Sequence, residues 1–510
     1  GDGTSSRRAA SPRERSPFEM TPRPQSGSSV VATIRDHCAR LGEAVALRFL
    51  PQGAINEATV SLTFADLDRR ACAVAAALAA ERGRGQRALL LFAPGLDFIV
   101  AYLGCLYAGV IAVPAYPPDL GQLARTLPRV RAIARDCGAA FVLTTADIAA
   151  LAAGLGDVAP ELAAARWLAT DGLAGEGADA AVVDTAEGDV AFLQYTSGST
   201  AEPRGVMVTH GNLRHNLLAI RHLGDLSASS VGVNWLPSYH DMGLIGAILQ
   251  PLFTGFPAVL LAPQAFLRHP VRWLQAISHY RGTASAFPNF ALDLCTRKIS
   301  DDDIDRLDLG SWTRAWNGAE PVRAASLERF AARFARCGFR RAAFVPVYGL
   351  AEATLIVTGE YTGGALDVRA VSRGELGRAG VRAVPEDDAD AVTLVGCGRA
   401  IADTEVVIVD ADSRRAAPSA VGEIWVRGPS VARGYYGEGE EKAAANRETF
   451  LTVQIETPAA LANAEAIAAV PGVDILFLGP GDMSLRLGCT PAVNDPVMMD
   501  VQKQIAAACK

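Results

Sequence analysis

The stretch Leu193-Gln-Tyr-Thr-Ser-Gly-Ser-Thr-Ala-Glu-Pro-Arg-Gly-Val-Met-Val-Thr-His210 decides the fold, because it sets hydroxyls, a glycine and a cation between two strand-like runs. Backbone N–H groups exposed at Gly198, together with the Ser and Thr hydroxyls, can donate to phosphate oxygens, and Arg204 can bind them bidentately. The spacing is not that of a Walker A loop, which needs G-x-x-x-x-G-K-S/T. A polar surface turn is the alternative. The stretch predicts a loop that binds a polyphosphate.

On both sides of this loop, alanine-rich helical patterns alternate with short apolar strands such as Ala88–Phe92 and Ala258–Leu261. That alternation is typical of an α/β fold with parallel strands and ligand loops at their carboxyl ends. After Gly359 the pattern changes, and the runs Thr404–Asp410 and Gly422–Gly428 predict a small β unit. We therefore expect an α/β body with a β appendage.

Composition excludes several classes of protein. The chain has 510 residues and a net charge of −7, and its Lys and Arg residues are scattered, which argues against a nucleic-acid partner. The uncharged run Phe98–Tyr116 predicts a buried helix that ends at Gly109 and then a strand, so we expect no integral membrane association. Nine dispersed cysteines without a CxxC pair predict buried thiols in a reducing, cytoplasmic compartment. Residues 1–28 lack the apolar segment of a secretory signal and predict a disordered polar tail.

Three further motifs follow the loop in a fixed order: Trp235-Leu-Pro-Ser-Tyr-His-Asp-Met-Gly-Leu-Ile245, Asn317-Gly-Ala-Glu-Pro-Val322 and Tyr348-Gly-Leu-Ala-Glu-Ala-Thr-Leu355. With the loop, they resemble the adenylate-forming superfamily of acyl-CoA synthetases, luciferases and peptide-synthetase adenylation domains. The resemblance covers residues 29–450. It implies two α/β sheet subdomains and a small β subdomain, and a reaction that uses ATP and Mg²⁺.

Within that superfamily the chain is similar to fatty acyl-AMP ligases. The likeness rests on Ala108-Gly-Val-Ile-Ala-Val-Pro-Ala-Tyr-Pro-Pro118, on the Tyr-His-Asp-Met-Gly-Leu form of the second motif and on Phe287-Pro-Asn-Phe290, while residues 366–384 resemble that subfamily's insertion. The resemblance implies that a fatty acid is activated as acyl-adenylate and passed to an acyl carrier protein or to a polyketide or peptide synthase. An acyl-CoA ligase is the nearest alternative.

The resemblance also implies roles for individual residues. His240, Glu352 and Arg204 are the implied catalytic residues, with Glu352 holding Mg²⁺, because attack of a carboxylate on the α-phosphorus of ATP needs a hard cation and fixed donors. The implied cofactor-binding residues are Thr196, Ser197, Gly198, Ser199 and Thr200 in the loop, Gly318, Ala319 and Glu320 beside adenine, and Tyr348, Gly349 and Leu350, with Tyr348 stacking on the base. Two positions depart from the wider pattern, since Arg204 replaces a lysine and Ala351 a threonine.

Two assignments stay open at this point. His240 and Asp241 could instead cap the helix that follows them. The apolar residues Met242, Ile245, Ile248 and Leu249 recur at helical spacing, and this pattern fits either a packed core or the wall of an acyl tunnel.

The resemblance stops at Arg447-Glu-Thr-Phe450, and residues 451–510 do not continue it. The segments Leu451-Thr-Val-Gln-Ile-Glu-Thr-Pro458 and Val473-Asp-Ile-Leu-Phe-Leu-Gly-Pro-Gly-Asp-Met-Ser484 instead resemble part of a class II pyruvate aldolase barrel of the HpcH/HpaI family. That likeness implies a partial (β/α) barrel fragment in which Glu456 and Asp482 bind a divalent metal. We expect a junction of two truncated proteins, formed by gene rearrangement, by an assembly error or by deliberate fusion.

Three functions therefore remain to be separated. The leading one is ATP-dependent activation of a fatty acid, for which we expect binding to outlast turnover, because the lysine-bearing domain that promotes adenylation is not matched after Phe450. A metal-dependent pyruvate aldolase is the second, and a nucleotide- or acyl-binding module without turnover is the third. The sequence does not indicate acyl chain length, the acceptor or the oligomeric state.

Overall fold

The computed structural model describes residues 29–117, 123–151, 158–173, 182–196, 203–360, 365–377, 380–410, 413–437, 451–455, 461–464, 473–478 and 496–508. The predicted polar tail over residues 1–28 lies outside these ranges, as do Ser197, Gly198, Ser199 and Thr200 of the loop and both predicted tail metal ligands, Glu456 and Asp482.

The strands of the described ranges are numbered in chain order. They are β1 Val45–Leu50, β2 Val60–Thr63, β3 Arg87–Leu91, β4 Ile111–Ala115, β5 Phe141–Thr144, β6 Arg166–Ala169, β7 Val190–Thr196, β8 Arg204–Thr209, β9 Gly232–Asn234, β10 Ala258–Leu261, β11 Ala284–Phe287, β12 Arg314–Asn317, β13 Phe344–Gly349, β14 Ile356–Gly359, β15 Val368–Ser372, β16 Ala391–Val395, β17 Arg399–Ala400, β18 Glu405–Val409, β19 Glu423–Arg427, β20 Leu451–Ile455 and β21 Val473–Leu478.

The helices are numbered in the same way. They are α1 Val30–Leu41, α2 Phe64–Ala80, α3 Leu96–Ala108, α4 Leu123–Cys137, α5 Ala146–Leu151, α6 Pro160–Ala163, α7 His210–Leu223, α8 Gln250–Thr254, α9 Pro263–Arg268, α10 Val271–Tyr280, α11 Phe290–Lys298, α12 Asp301–Ile304, α13 Ala324–Phe334, α14 Arg373–Leu376 and α15 Pro496–Ala508, with a π-helix at Met242–Leu249 and 3₁₀ turns at Ala335–Cys337, Arg341–Ala343 and Ala351–Ala353.

The first large sheet has six described strands in the order β6-β5-β3-β4-β7-β8. Its strands pair in parallel except at the β7–β8 edge, where the quoted loop connects two antiparallel strands. The predicted buried helix before β4 is confirmed as α3, and Gly109 ends it in a left-handed conformation at φ 63°. Helices α2 and α3 approach closely at Gly104, where a Cβ atom would lie 2.5 Å from Val74 Cβ.

The second large sheet has nine described strands in the order β17-β14-β13-β12-β11-β9-β10-β1-β2. Its central strands, from β13 through β12, β11, β9 and β10 to β1, are parallel, so their carboxyl ends meet at one edge. One continuous core packs between the two large sheets, with Leu47, Leu90 and Leu244 each fully buried in it. The predicted α/β body with two sheet subdomains is confirmed.

The small β unit is also confirmed. Strands β18 and β19 form an antiparallel pair, in which Val407 lies opposite Trp425. A second antiparallel pair joins β15 and β16, and β15 begins within the region predicted to be an insertion. Neither pair belongs to the large sheets.

The described part of the tail contains the two strands predicted there. Strands β20 and β21 pair in parallel, with Val453 opposite Leu476. Helix α15 follows and buries Met498, Val501 and Ile505, which recur at helical spacing and form one face. The parallel pairing fits the predicted partial (β/α) fragment.

The cysteines that the structure describes are free, as predicted, and all are buried except the half-buried Cys397. Burial raises the pKa of several of these thiols, including that of Cys38 to about 12. Across the described ranges, no helix combines the length and the apolarity that a bilayer crossing requires.

Candidate active site

The two strands that flank the phosphate loop bring its ends together. Thr196 at the end of β7 lies opposite Arg204 at the start of β8, and Tyr195 lies opposite Gly205. The Tyr195 ring packs on Gly205 so closely that a Cβ atom there would lie 2.8 Å from the ring. The Tyr195 hydroxyl donates to the Asp136 carboxylate, and burial, followed by this hydrogen bond, raises the pKa of Tyr195. The loop base is therefore anchored on α4.

Glu352 lies in the 3₁₀ turn that follows β13. Its carboxylate oxygen Oε1 accepts a hydrogen bond of 2.7 Å from the Tyr435 hydroxyl, and the Arg204 guanidinium lies over the Tyr435 ring, 5.5 Å from its centroid. Two residues predicted to be catalytic are thus connected through one tyrosine. The sequence alone did not indicate Tyr435, because a tyrosine after Arg433-Gly434 carries no chemical signal of its own.

The backbone around Glu352 is tightly turned. At Gly349 a Cβ atom would lie 1.8 Å from the Leu355 carbonyl oxygen, so only glycine fits. Thr354 has φ 69° and ψ −62°, and the Leu355 N–H donates to the Ala353 carbonyl at 2.8 Å. This geometry is a γ-turn of the rarer, strained hand, and a β-branched residue adopts it at a cost. Strain of this kind persists only where the surroundings hold it.

A buried polar network holds this turn. Asn216 of α7 is fully buried, and its amide donates to the Ile356 carbonyl at 2.9 Å and accepts from the Ile356 N–H at 3.1 Å. The same amide donates to the Ser430 hydroxyl at 3.0 Å, while the Thr354 hydroxyl donates to the Ser430 carbonyl at 2.7 Å. The network fixes the backbone on the carboxyl side of Glu352.

The adenine-side residues predicted from the third and fourth motifs lie just after β12 and at the end of β13. The Gly318 N–H donates to the Phe287 carbonyl at 3.2 Å, and Ala319 has a left-handed φ of 66°. The Glu320 carboxylate accepts from the Phe290 N–H at 2.5 Å, at the start of α11, so this side chain anchors the loop. Tyr348 is half-buried, and its burial together with the charge of Glu352 raises the pKa of its phenol.

His240 and Asp241 precede the π-helix and contact each other. The His240 Nδ1 atom lies 2.6 Å from Asp241 Oδ1, and this carboxylate also accepts from the Met242 N–H at 2.6 Å. The capping interpretation is thus confirmed for Asp241, while the His240 side chain is half-exposed. Burial favours the neutral imidazole of His240, but the hydrogen bond and charge of Asp241 outweigh it and raise the pKa of His240.

Near the start of the π-helix, Gly243 passes very close to Pro237, and a Cβ atom at Gly243 would lie 2.0 Å from the Pro237 carbonyl oxygen. All four apolar residues that the sequence left as core or tunnel are buried in the core. Met242 also lines the main cavity, and Ile248 also lines a separate, smaller cavity beside Tyr116 and Tyr239. The core interpretation is therefore confirmed, and the acyl tunnel stays a prediction.

A cavity of about 210 Å³ connects several of these groups. It is lined by His240, Ala319, Tyr348 and Gly349 together with Ile220, Leu226, Gly232, Met242, Gln250, Phe256, Ala284 and Trp316. Ala319 and Tyr348 lie at the carboxyl ends of β12 and β13, whereas Gly232 and Ala284 begin β9 and β11. The cavity thus runs along the strands, from the edge where the motif residues meet into an apolar interior.

The structure brings the predicted site residues that it describes together at the carboxyl edge of the second sheet and at the facing ends of β7 and β8. Leu350 lies there as well, between Gly349 and the Glu352 turn, and its N–H donates to the Leu355 carbonyl at 2.9 Å. Within the described ranges, no three His, Cys, Asp or Glu side chains cluster as a ready metal site.

Comparison with known proteins shows to which family the chain belongs. A sequence profile described as AMP-binding enzyme matches residues 34–436, and the chain belongs to this AMP-binding enzyme family. Its relatives include the medium-chain-fatty-acid acyl-carrier-protein ligase JamA of Moorena producens, at 41% identity over 75% of this chain and 65% of that protein. The corresponding ligase TtuA of Teredinibacter turnerae is 35% identical over 81% of this chain and 70% of that protein. The chain thus spans about two thirds of the length of such relatives.

Solved structures support the same family. A fatty acid AMP ligase from Legionella pneumophila superposes with a TM-score of 0.75 at 39% identity, covering 83% of this chain and 71% of that chain. A fatty acyl-adenylate ligase from the same organism, in complex with acyl adenylate and pyrophosphate, gives a TM-score of 0.74 at 39% identity, over 83% of this chain and 72% of that one. The predicted fatty acyl-AMP ligase resemblance is confirmed.

The predicted aldolase resemblance is confirmed too. A second profile, described as HpcH/HpaI aldolase/citrate lyase, matches residues 388–510 and so overlaps the first match. In the overlap the chain packs on the AMP-binding body, because the Ala432 N–H donates to the Glu352 carbonyl at 2.8 Å and the Tyr436 N–H to the Gly205 carbonyl at 2.8 Å. The second match therefore includes residues that pack on the AMP-binding body as well as the tail.

Proposed function

We propose that this chain binds ATP with Mg²⁺ and activates a fatty acid as its acyl-adenylate. The observation that carries the proposal is the single cavity that His240, Ala319 and Tyr348 share with an apolar interior. A fatty acid whose carboxylate lies at the motif end of the cavity would bury its hydrocarbon chain along the strands. This burial favours binding in proportion to the apolar area removed from water. The relatives named as fatty-acid ligases support the same substrate class.

The residues present fit the cation that this chemistry needs. Glu352 offers a carboxylate, the hard oxygen ligand that Mg²⁺ prefers, and Tyr435 hydrogen-bonds only one of its two oxygens in the contact described here. When bound, Mg²⁺ would neutralise phosphate charge as the α-phosphorus is attacked. Arg204 adds a cation at the loop, and the half-exposed His240 adds a second donor beside the cavity.

The test is ATP–pyrophosphate exchange measured across straight-chain acids of increasing length, with hydroxamate trapping of the acyl-adenylate. We expect ATP–pyrophosphate exchange that depends on the added acid. We also expect the substitution Glu352→Gln to abolish this exchange. Tight binding of ATP and acid without exchange in any acid would instead support the non-catalytic binding module.

We further propose an acyl carrier protein as the acceptor, since the relatives JamA and TtuA carry that acceptor in their names. Incubating the chain with ATP, labelled acid and either a phosphopantetheinylated carrier protein or coenzyme A separates the two acceptors. Transfer to coenzyme A at the same rate would favour the acyl-CoA ligase. The free, buried cysteines support a reducing compartment such as the cytoplasm.

For the domain boundaries we propose an AMP-binding body over residues 29–450 and an aldolase-like fragment over residues 451–510. The profile match supports a divalent metal at Glu456 and Asp482, because carboxylates after barrel strands are where such enzymes hold catalytic groups. The test is to measure Mn²⁺ binding by the double variant Glu456→Gln, Asp482→Asn. Mn²⁺ affinity equal to that of the unaltered chain would contradict a metal site at these two residues.

A further inference from the structure

One short segment joins the phosphate loop to the Glu352 turn. Residues 428–436, called the clasp here, follow β19 and pair with β8, since the Arg433 N–H donates to the Met207 carbonyl at 3.0 Å and the Met207 N–H donates to the Gly434 carbonyl at 2.9 Å. On its other side the clasp donates from Ala432 N–H to the Glu352 carbonyl at 2.8 Å. The clasp therefore fixes two parts of the site relative to each other.

Tyr435 is the residue of the clasp whose side chain touches both parts. Its hydroxyl donates to Glu352 Oε1 at 2.7 Å, and its ring lies under the Arg204 guanidinium at 5.5 Å. The ring is held by a cation–π contact and the hydroxyl by a charge-assisted hydrogen bond. A phenylalanine would keep the first interaction and lose the second.

The backbone of the Glu352 turn is already fixed by Asn216 and by the hydrogen bond of Thr354 to Ser430. The Glu352 side chain can still rotate about its single bonds, and fixing it in one rotamer costs conformational entropy. A hydrogen bond to one carboxylate oxygen removes that freedom and directs the second oxygen. Partners of this kind orient metal ligands, and their loss typically lowers metal affinity by about 10- to 100-fold.

We infer that Tyr435 is a positioning residue that presents Glu352 to the Mg²⁺ of the nucleotide. This inference rests on the proposed function. It assigns to the clasp a role in metal affinity that is separate from nucleotide affinity, because the described hydrogen bond of the Tyr435 hydroxyl goes to the Glu352 carboxylate. Arg204 remains over the ring whether or not the hydroxyl is present.

The test compares Tyr435→Phe with the unaltered chain and with a matched control, Tyr280→Phe. Tyr280 also lies under an arginine, with Arg48 5.1 Å from its ring centroid, but it ends α10 and lines a different groove. Mn²⁺ affinity is measured by electron paramagnetic resonance in the presence of α,β-methylene-ATP, and affinity for the same nucleotide in EDTA by calorimetry. Thermal unfolding confirms that each variant is folded.

We expect Tyr435→Phe to weaken Mn²⁺ binding by about 10- to 100-fold while the metal-free nucleotide affinity and the control stay unchanged. An unaltered Mn²⁺ affinity, or an equal loss with and without metal, would overturn the positioning role and leave the proposed function standing. Failure of the unaltered chain to bind the metal–nucleotide pair would overturn the proposed function itself.

Discussion

The central strands of the nine-stranded sheet and the β20–β21 pair are both short apolar strands that pair in parallel. In the large sheet, the central strands share a carboxyl edge, and that edge collects Ala319, Tyr348 and the Glu352 turn. The β20–β21 pair has the same kind of carboxyl edge, but its two strands place far fewer residues there. A catalytic site therefore depends on how many strands contribute to the edge, although each strand follows the same pairing rule.

The two regions also differ in how they are covered. Parallel sheets are stable when both faces are buried, and the large sheets meet this condition with helices and a core shared between them. The described helix of the tail, α15, buries one face through Met498, Val501 and Ile505. A two-stranded sheet is marginal in water without further partners. This contrast predicts that the body carries the site and most of the stability.

The largest effect is expected at the carboxyl edge itself. Glu352→Gln keeps the shape and the hydrogen bond to Tyr435 but removes the charge that a cation needs, and a loss of about 3–4 kcal/mol of transition-state stabilisation corresponds to about 100- to 1000-fold in rate. Acid-dependent ATP–pyrophosphate exchange measures it. Exchange within tenfold of the unaltered chain would show that the edge does not supply the metal ligand.

The next largest effect is expected from the buried Asn216 network that holds the Glu352 turn in place. Asn216→Leu removes the buried amide and leaves the N–H and carbonyl groups of Ile356 without this partner, at an expected cost of about 2–3 kcal/mol in the free energy of unfolding. Urea denaturation measures it. Asn212→Ala on the exposed side of the same helix also removes hydrogen bonds, to Pro429 and Val431, and serves as the control, with a smaller expected loss. Equal losses in the two variants would contradict a special role for the buried network.

The sequence predicted the large sheets because apolar strands and helical patterns alternate over hundreds of residues, and it predicted the edge because the motifs follow those strands. It could not predict the contact of Tyr435 with Glu352, which depends on the clasp folding back on β8. Nor could helical spacing show that the segment after Asp241 is a π-helix, in which Gly243 lies against the Pro237 carbonyl. Helical spacing also could not show that Met242, unlike Ile245, borders the main cavity as well as the core.

A smaller effect on the body is expected from changes in the tail. Val501→Asp places a charge on the buried face of α15 and should release protection of residues 496–508 from hydrogen exchange, because an unpaired buried charge is costly. The thermal midpoint of the body should not change measurably. Amides of β20, β21 and α15 in the unaltered chain should also exchange faster than those of β12 and β13. Protection equal to that of the body, or loss of the body together with the tail, would show that the two regions form one cooperative unit.

The smallest effect concerns the His240–Asp241 pair, because His240 is half-exposed and solvent screens the interaction. The pKa of His240 is raised, so the folded state binds its proton more tightly than the unfolded chain does. The pair therefore stabilises the folded protein fully below the ordinary imidazole pKa, and the contribution, about a few tenths of a kcal/mol, is lost as the pH rises through the raised pKa. Asp241→Asn should bring the imidazole titration, followed by NMR, down to lower pH. A titration that stays in place would mean that Asp241 caps the π-helix without holding the His240 proton.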